Sequence, residues 1–511
     1  MVIDQNSIKV AWVVVILLVV VIKLSHIALR GPLARLPGPW YTRFTSAVYT
    51  YHQVRGQAPV YVHKLHAKYG QHCNPERAAI GLFSSRPIVR TTPHEADVSD
   101  PAAVQAIYRI KGEFLKSPWY DSLALGAPNV FNATDPIVHR RRRRLLSQPL
   151  SDTGLRGLIP VIDGKIQKAI DRMAWEMKDR GAADMYKWWL FMATDIIGAL
   201  SFGDCFRMLD KGEKNQYVID LESTGDTFMV RAAFPSLTGW IRKVPVPFVP
   251  LASLKAANEV ECRTMNYAHE SLQWHRRLVE ENPETAVPTL FSKFYNDTTI
   301  TAREMAVDAQ AYIIGGSDTL SKTLTYLVWA VCRNPSVKEK LVREIQQRLP
   351  LASQQRSGIT DAQVRDLPYL AMVIEETLRL YPAVPSALPR VPPELCGRRL
   401  PAGATVTTSA YCLHRDPMAF PGPERFVPER WQNPTKRMKD AFMAFGGGSR
   451  VCLGMHLARL EIRLAAARFF HRFPDVEISS LEGMSDDDME AQWYFVLTPK
   501  GKRCLIQQAR A

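Results

Sequence analysis

The sequence lacks the cysteine spacing of a zinc ribbon or of a dithiol redox motif. Among its 511 residues there are eight cysteines, and no two of them are separated by only two residues. A zinc ribbon and a thioredoxin-like site are therefore disfavoured. A disulfide framework is typical of small secreted domains, whereas a chain of this length can bury a large core. We expect free thiols in a reducing compartment.

The sequence also lacks an internal repeat and, beyond residue 41, a linker long enough to divide it. Its composition, 46% apolar and 23% charged, excludes a collagen-like, mucin-like or disordered chain. No flavin- or nicotinamide-binding domain is recognisable, so redox chemistry would need electrons from a separate protein. Residues 41–511 are predicted to form one body.

Acidic residues are too few to balance the basic ones. The chain has 65 lysines and arginines against 50 acidic residues, which gives a formal net charge of +15. A basic balance indicates an anionic partner, such as a lipid surface, a nucleic acid or an acidic protein. No nucleic-acid-binding motif accompanies the charge, so we do not expect a nucleic acid as partner.

A long uncharged apolar run lies near the N-terminus. Val10–Ile22 carries no charge and is flanked by Lys9 and Lys23. At about 1.5 Å per residue, a helix over Ile8–Leu29 spans roughly 33 Å, enough for the hydrocarbon core of a bilayer if Lys23 snorkels. The alternative is a cleaved signal peptide, but no clear small-x-small cleavage site follows the run. Residues 1–30 are therefore predicted to be a single transmembrane anchor.

The residues that flank the anchor predict its orientation. Basic residues predominate on its C-terminal side, and by the positive-inside rule this side faces the cytosol. They are Lys23, Arg30, Arg35 and Arg43. Residues 31–40 hold three prolines and form a predicted proline-rich hinge, since proline fixes φ and cannot continue a helix. This hinge would hold the body at a set angle to the bilayer.

Apolar residues recur at helical spacing through most of the remaining chain, which predicts a mainly α fold with small β-sheets. The predicted helices are Leu155–Arg180, Lys187–Leu200, Leu254–Glu281, Thr301–Arg333, Ser336–Leu349, Asp361–Leu380 and Leu453–Phe470. The predicted strands are Ile88–Thr91, Thr405–Ser409 and Trp493–Thr498.

The segment Phe445–Gly454, FGGGSRVCLG, carries the strongest chemical pattern. Three consecutive glycines let the backbone pass close to something flat. Cys452 comes at the start of a helical run, where backbone N–H groups stabilise a thiolate. Gly454 clears space beside the sulfur, and Arg450 can pair with a carboxylate on the same ligand. A haem has these features, namely a planar ring, an iron that takes an axial thiolate, and two propionates. An inert buried thiol is the alternative for any single cysteine.

This segment resembles the haem-binding loop of the cytochrome P-450 family, in which Phe445, Gly448, Arg450, Cys452 and Gly454 match every fixed position of FxxGxRxCxG. The resemblance extends over nearly the whole chain. It implies a single cytochrome P-450 fold that binds haem b, with Cys452 as the ligand to the iron.

The same resemblance assigns a structural ion-pair network. Glu376 and Arg379 match the ExxR pair of the family, and positions i and i+3 share one helix face. Arg430, in the segment FVPERW, matches the arginine that completes the pair. These three residues are expected to lie beneath the haem without a catalytic role.

Gly315-Gly-Ser-Asp318-Thr319 resembles the oxygen-activation motif of the central helix in this family. Asp318 and Thr319 would deliver protons during oxygen activation. An ordinary turn or helix cap is the alternative interpretation, since these residue types are common there. Many relatives have Ser or Thr after this pair, whereas this chain has Leu320.

The run that begins at His139 contains five consecutive arginines. The resemblance places His139 and Arg143, one helical turn apart, on the haem propionates, with Arg390 as a further candidate. The other arginines would face solvent around the cysteine side of the haem, where a redox partner docks. A solvated basic face or a localisation signal is the alternative.

One stretch departs from the family pattern. Residues 71–86 intervene between His66-Ala-Lys-Tyr-Gly70 and the strand that begins near Pro87, where relatives have almost no spacer. They carry no recognisable motif and are treated as an unexplained insertion.

The resemblance implies a monooxygenase that inserts one oxygen atom of O2 into a hydrophobic organic substrate. Electrons would come from NADPH through a separate cytochrome reductase, and the pattern is similar to fungal microsomal members of secondary metabolism, including averantin-hydroxylase-like enzymes. The protein would be single-pass in the endoplasmic reticulum membrane with a cytosolic body. Alternatives are a haem-thiolate isomerase or dehydratase, which needs no reductase, and a membrane-tethered haem sensor. The expected pocket walls are residues 119–131, 228–234, Ala311, 383–388 and 493–495.

Overall fold

The structure is a computed structural model of the full chain. It describes residues 31, 33–70, 88–110, 112, 114–123, 127–217, 219–220, 223, 232–234, 252–281, 289–291, 294, 297, 300–349, 359–392 and 403–509, together with 12, 14, 15, 18, 19, 22 and 25. Most of the predicted anchor and the whole insertion 71–86 therefore lie outside the described residues. Within the described part, no helix is both long and apolar enough to cross a membrane.

Helices make up most of the fold. The α-helices are α1 (Ala47–Val54), α2 (Ala58–Tyr69), α3 (Pro101–Ile107), α4 (Pro136–Ser147), α5 (Asp152–Leu155), α6 (Ile159–Arg180), α7 (Met185–Phe202), α8 (Met208–Lys211), α9 (Ala252–Glu281), α10 (Ala302–Cys332), α11 (Pro335–Arg348), α12 (Asp361–Arg365), α13 (Pro368–Leu380), α14 (Ala410–Leu413), α15 (Lys436–Ala441) and α16 (Met455–Arg472). Short 3₁₀ helices cover Trp40–Arg43, Pro118–Leu123, Arg156–Leu158, Pro428–Trp431, Gly448–Arg450, Leu481–Gly483 and Asp486–Met489.

Most helices predicted from periodicity are confirmed within a few residues. The start of α10 is explained locally, because Thr301 and Glu304 form a reciprocal capping box there. The single helix predicted over Asp361–Leu380 is wrong, since it is divided into α12 and α13. Pro368 opens the second helix at a position where its missing N–H costs nothing.

Three small sheets accompany the helices. The strands are β1 (Ile88–Arg90), β2 (Glu95–Val98), β3 (Leu115–Lys116), β4 (Ala183–Asp184), β5 (Arg390–Val391), β6 (Thr405–Thr407), β7 (Val476–Ile478), β8 (Ala491–Trp493), β9 (Leu497–Pro499) and β10 (Leu505–Gln508). The sheet orders are β1-β2-β6-β5-β3, β4-β10-β7 and β8-β9. Only the β2–β6 pair is parallel among these ladders of the described strands, and it places Glu95 opposite Thr405. The prediction of a mainly α fold with small sheets is confirmed.

The strand predicted over Trp493–Thr498 is wrong in one respect. It is a hairpin, in which β8 and β9 pair antiparallel and Trp493 lies opposite Leu497. The three residues between these two positions are therefore at a turn, where side chains are free to project from the sheet. They are Tyr494, Phe495 and Val496, and all three line the central cavity.

The central helix α10 packs closely along α7 in the main hydrophobic core. Gly316 permits this approach, because a Cβ at this position would lie 2.8 Å from a side-chain carbon of Ile197 on α7. Packing in the core therefore fixes the position of α10 relative to the segment that contains Cys452. This spacing defines the cavity between them.

The proline-rich segment is docked on the first sheet by a single arginine. The guanidinium of Arg90, on β1, donates to the carbonyl oxygens of Leu33 at 3.0 Å and Leu36 at 2.9 Å, and to the Thr42 hydroxyl at 3.0 Å. The side chain of Arg90 is buried. Residues 33–42 therefore run against the body of the protein.

Candidate active site

The loop before α16 holds Cys452 at the wall of a cavity. The Cys452 amide donates to the carbonyl oxygen of Phe445 at 2.8 Å, which closes the loop. Gly448 has a φ of +62°, and a Cβ on it would lie 1.7 Å from the carbonyl oxygen of Tyr108. Only glycine fits there. The helix begins at Met455 with Gly454 as its N-cap, two residues later than predicted, and Cys452 lies just before it, as expected.

The Cys452 sulfur is open to the cavity although it lies deep inside the protein. Burial raises the pKa of this thiol, while a hydrogen bond from the Gly454 amide and the charge of Arg143 act in the opposite direction. A positively charged iron at the sulfur would add to those opposing effects and favour the thiolate. Among the six cysteines in the described part of the chain, Cys452 is the only one that lines the cavity. The buried Cys412 instead lies beside the Pro59 carbonyl, away from the cavity lining.

The cavity has a volume of about 870 Å³ and lies between the Cys452 loop and α10. Its other walls come from the Pro118–Leu123 helix, the segment before β5 and the β8–β9 turn. Most of the cavity lining is apolar. Representative side chains are Val130, Phe131, Ala311, Val384, Leu388 and Phe495.

Five basic side chains gather at one side of this cavity, and in the described residues none of them has a carboxylate within ion-pair distance. They are Lys116, His139, Arg143, Arg390 and Arg450. Their contacts are instead with neutral oxygens. Arg143 donates to the Val451 carbonyl at 2.8 Å, Arg450 to the Ala133 carbonyl at 2.8 Å, and Arg390 to the Pro389 carbonyl at 2.9 Å. Lys116 donates to the Phe131 carbonyl.

The electrostatics of this cation cluster show that its charge is uncompensated. Burial, followed by the charges of Arg450, Arg143, Lys116 and Arg390, lowers the pKa of His139 to about 3. Burial and the charge of Arg390 lower the pKa of Arg450 to about 10. Buried charges are normally paired, so a cluster of this kind fits a ligand that carries two carboxylates. The two propionates of a haem would meet that requirement.

The sequence prediction of His139, Arg143, Arg390 and Arg450 at one site is therefore matched by their position, whereas Lys116 was missed. Lys116 lies on β3 directly opposite Arg390 on β5. No motif marks this lysine, and only the pairing of two distant strands brings it to the cluster.

The prediction that the other arginines of α4 face solvent is partly wrong. Arg140, Arg141 and Arg144 are exposed. Arg142 is buried and pairs with Asp308, and with Glu304 at 2.6 Å. Both acids belong to α10, so Arg142 ties α4 to the central helix.

Helix α10 is continuous through Gly315–Thr319, so the interpretation of these residues as a turn or cap is wrong. The Thr319 hydroxyl donates to the Gly315 carbonyl at 2.6 Å. The hydroxyl oxygen of Thr319 is therefore free to accept a hydrogen bond. Nothing lies within 4 Å of a Cβ built on Gly315, because this glycine faces open space. Asp318 and Thr319 both line the cavity on the side of α10.

A second acid, Glu461 on α16, also lines the cavity and was missed from the sequence. Burial raises its pKa well above the usual value.

The predicted structural network is confirmed. Arg379 donates to both oxygens of Glu376, at 2.9 and 2.8 Å, and Arg430 donates to Glu376 at 3.0 Å. Trp431 adds an indole N–H at 3.0 Å, and Glu376 and Arg379 are fully buried. Each carboxylate oxygen therefore has at least two donors.

The expected pocket walls are also largely present. Residues of the 119–131 and 383–388 segments, together with Ala311, Tyr494 and Phe495, line the cavity. Trp119, Trp493 and Phe234 are not among its lining residues, and 228–231 lie outside the described residues. The Trp119 indole instead donates to the Ala232 carbonyl at 3.1 Å.

Comparison with known proteins identifies the family. The cytochrome P-450 family model matches residues 83–506. The cytochrome P-450 monooxygenase tazI of Aspergillus terreus is 45% identical over 504 residues, 97% of each chain. The monooxygenase orf2 of Aspergillus niger is 39% identical over 93% of each chain, and aflV of Aspergillus parasiticus is 31% identical over 95% of this chain and 93% of its own. The chain therefore belongs to the cytochrome P-450 family of monooxygenases, which bind haem through a cysteine thiolate.

Proposed function

We propose that this protein inserts one oxygen atom of O2 into a hydrophobic organic substrate of fungal secondary metabolism. The observation that carries the proposal is the position of Cys452 across one cavity from Asp318 and Thr319, with uncompensated cations at its side. The overall reaction consumes substrate, O2, two electrons and two protons, and yields hydroxylated product and water. The electrons come from NADPH through a separate reductase.

In this proposal Cys452 would bind the haem iron through its sulfur, and the cation cluster would hold the propionates of haem b. When bound, the haem supplies a thiolate-ligated iron that activates O2 for transfer to the substrate. Gly454 donates its amide to the sulfur. Phe445 accepts the Cys452 amide and Gly448 packs against Tyr108, so both would hold the loop in the shape that presents the sulfur to the iron. His139, in its neutral form, can donate one hydrogen bond to a propionate.

In the same proposal, Asp318 and Thr319 of α10 deliver protons to the cavity. Thr319 offers an acceptor oxygen to the cavity, since its own proton is held by the Gly315 carbonyl. Asp318, one residue earlier, exchanges protons with cavity water. The apolar walls exclude bulk water and orient a substrate through its hydrophobic surface. The finer resemblance to averantin-hydroxylase-like enzymes, the endoplasmic reticulum membrane and the single-pass anchor stay predictions.

An isomerase or dehydratase is the alternative within the same family. Such an enzyme needs neither O2 nor a reductase, so it has no need to deliver protons to bound oxygen. The presence of Asp318 and Thr319 at the cavity favours the monooxygenase. Product formation that depends on NADPH, reductase and O2 supports the proposal, and product formed without them would establish the alternative.

The ligand assignment is tested by the absorption of the reduced protein with carbon monoxide. Cys452→Ser should abolish the band typical of a thiolate-ligated haem. Cys205→Ser is the matched control, because Cys205 is half-buried and does not line the cavity. A thiolate band that persists in the Cys452 variant would refute the assignment. Binding spectra with a panel of hydrophobic metabolites would then narrow the substrate class.

A further inference from the structure

The central helix carries a buried lysine one turn after the proton-delivering acid. The Lys322 ammonium lies 2.6 Å from the Oδ2 atom of Asp318, and positions i and i+4 share one helix face. The side chain of Lys322 is 6% exposed and that of Asp318 is 26% exposed. Both residues line the cavity. This pair is therefore internal, unlike the solvated i,i+4 pairs of a helix surface.

A lysine is seldom buried without a specific partner, because removing an ammonium from water is costly. Asp318 is the only acid that pairs with Lys322 among the described residues. The ion pair therefore compensates the buried charge of Lys322 and also restricts the side chain of Asp318. It holds the Asp318 carboxylate in one orientation along the helix.

Both groups keep hydrogen-bonding capacity after they pair. Asp318 uses Oδ2 for Lys322, and within the described part of the chain no protein donor reaches Oδ1. Lys322 uses one N–H, which leaves two for other acceptors. The Thr319 oxygen also remains free to accept. Water in the cavity can thus join Lys322, Asp318 and Thr319 in one hydrogen-bonded path.

The residue that follows Asp318 and Thr319 cannot take part in a hydrogen-bonded path. Leu320 is buried and has no hydrogen-bonding group. The polar group next in line on the same helix face is Lys322. Its ammonium supplies donors to the path that a leucine cannot supply.

We propose that Lys322 is a positioning residue for proton delivery, acting through Asp318, whose carboxylate it orients toward cavity water. The inference rests on the proposed function, in which Asp318 and Thr319 deliver protons. This role requires no contact of Lys322 with substrate or cofactor. Replacing Lys322 should therefore impair proton delivery only in a protein that retains Asp318.

The test compares product formed per NADPH consumed in the haem-loaded enzyme with its reductase. Lys322→Met should lower this coupling about three- to tenfold and raise peroxide release, less than the roughly 10²-fold expected when an acid or base is removed. Lys322→Arg should restore most of the coupling, because an arginine can still pair with Asp318. Lys436→Met is the matched control, since Lys436 forms an exposed i,i+4 pair with Asp440. It should leave coupling unchanged.

Non-additivity separates the positioning role from a general loss of structure. In the D318N background, Lys322→Met should produce no further decrease in coupling. The double variant also removes both charges together, so it avoids a buried ammonium without its partner. A further decrease in this background, or normal coupling in Lys322→Met alone, would overturn the inference.

A second readout does not depend on turnover. The C–O stretching frequency of the reduced carbon monoxide complex responds to charge near the bound gas. Lys322→Met should shift it, whereas Lys322→Arg and Lys436→Met should shift it less. If Asp318→Asn and Thr319→Ala keep normal coupling, the proposed proton delivery fails. If they uncouple the enzyme but Lys322→Met does not, only the inference about Lys322 fails.

Discussion

Lys116 on β3 and Arg390 on β5 lie directly opposite each other in an antiparallel ladder, both buried and both at the cavity that Cys452 lines. Like charges in directly opposed positions destabilise a sheet by roughly 0.2–1 kcal/mol. Burial, followed by the charge of Arg390, lowers the pKa of Lys116 well below its usual value. The fold therefore tolerates a local electrostatic cost that a dianionic ligand would remove.

The first prediction is that Lys116→Met has opposite effects on the haem-free and the haem-loaded protein. Without haem, the substitution removes a repelled charge and should stabilise the fold by up to about 1 kcal/mol. With haem, it removes a partner of the propionates and should speed haem loss. The first effect is measured by urea unfolding of the haem-free protein, and the second by haem transfer to an excess of apomyoglobin.

Lys338→Met is the matched control for that experiment. Like Lys116, Lys338 donates to a backbone carbonyl, that of Val476 at 2.6 Å, but it does not line the cavity. It should leave haem transfer unchanged. Slower haem loss in Lys116→Met than in the wild type would contradict a propionate role for the lysine.

The second prediction concerns pH and His139. Burial and the surrounding cations lower the pKa of His139 in the folded, haem-free protein to about 3, whereas an unfolded histidine has a pKa of about 6.5. Between these values the unfolded chain binds a proton that the folded chain does not. The free energy of unfolding should therefore decrease as pH falls through this window, by up to about 1.4 kcal/mol per pH unit, and be unaffected by His139 above it.

The measurement is the difference in unfolding free energy between the wild type and His139→Gln from pH 7 to pH 4. A difference is needed because burial, with the charges of Arg379 and Arg415, also lowers the pKa of His414 to about 3. His414 is present in both proteins, so its effect cancels. Identical pH dependence in the two proteins would mean that His139 is already solvated or paired.

The third prediction concerns Arg90 and the proline-rich segment. Arg90 is buried, and its guanidinium donates to the backbone carbonyl oxygens of Leu33, Ala34 and Leu36 in that segment. In the described part of the chain it has no carboxylate partner. Its burial lowers the pKa of its guanidinium to about 10. Arg90→Met should leave these carbonyls without donors, at a cost of about 1–3 kcal/mol for each one that stays buried.

Limited proteolysis between residues 31 and 46 should be faster in Arg90→Met than in the wild type. Arg55→Met is the control, because Arg55 is exposed and its side chain, among the described residues, bonds only to the nearby Tyr51 hydroxyl at 2.6 Å. Equal cleavage rates in the Arg90 variant and the wild type would mean that packing of Leu33, and not the guanidinium, holds the segment.

Local sequence patterns predicted those parts of the site whose residues are close in sequence. The Cys452 loop, the Glu376–Arg379 pair and the His139–Arg143 turn each lie within ten residues, so their geometry follows from one element. Lys116 was missed because its role depends on strand pairing with Arg390. The exposure of Arg142 was predicted wrongly because its partner Asp308 lies on another helix.

The same distinction applies to the secondary structure. Periodicity predicted long helices such as α10 well, because their apolar stripe repeats over many turns. It joined α12 to α13 across Pro368 and joined β8 to β9 across the cavity-lining turn. Both errors arise where a short interruption carries little periodic signal. The second one did not affect the expectation that residues 493–495 contribute to the pocket wall, which Tyr494 and Phe495 meet.

The last prediction ranks three glycines of the Cys452 loop by what a methyl group would meet. Gly448 has a φ of +62°, and a Cβ on it would overlap the Tyr108 carbonyl oxygen at 1.7 Å. Gly446 has a φ of +71°, but its nearest neighbours are 3.9 Å away. Gly454 has a φ of −85° and nothing within 4 Å. Gly448→Ala should therefore be the most damaging to the fold and Gly454→Ala the least, with Gly446→Ala costing about 1–2 kcal/mol for its left-handed backbone.

Haem binding should reverse part of that order. Gly454 lines the same cavity as Cys452 and a Cβ on it would have no protein atom within 4 Å, so we expect a methyl group there to meet the haem and not the protein. Gly454→Ala should fold with near-normal stability as the haem-free protein, yet show weaker haem retention than Gly446→Ala. The two quantities are measured by urea unfolding and by the amplitude of the carbon monoxide band per protein. If Gly454→Ala retains haem as well as the wild type, the ring does not lie against this residue, and the role of Gly454 would be limited to its amide hydrogen bond to the sulfur.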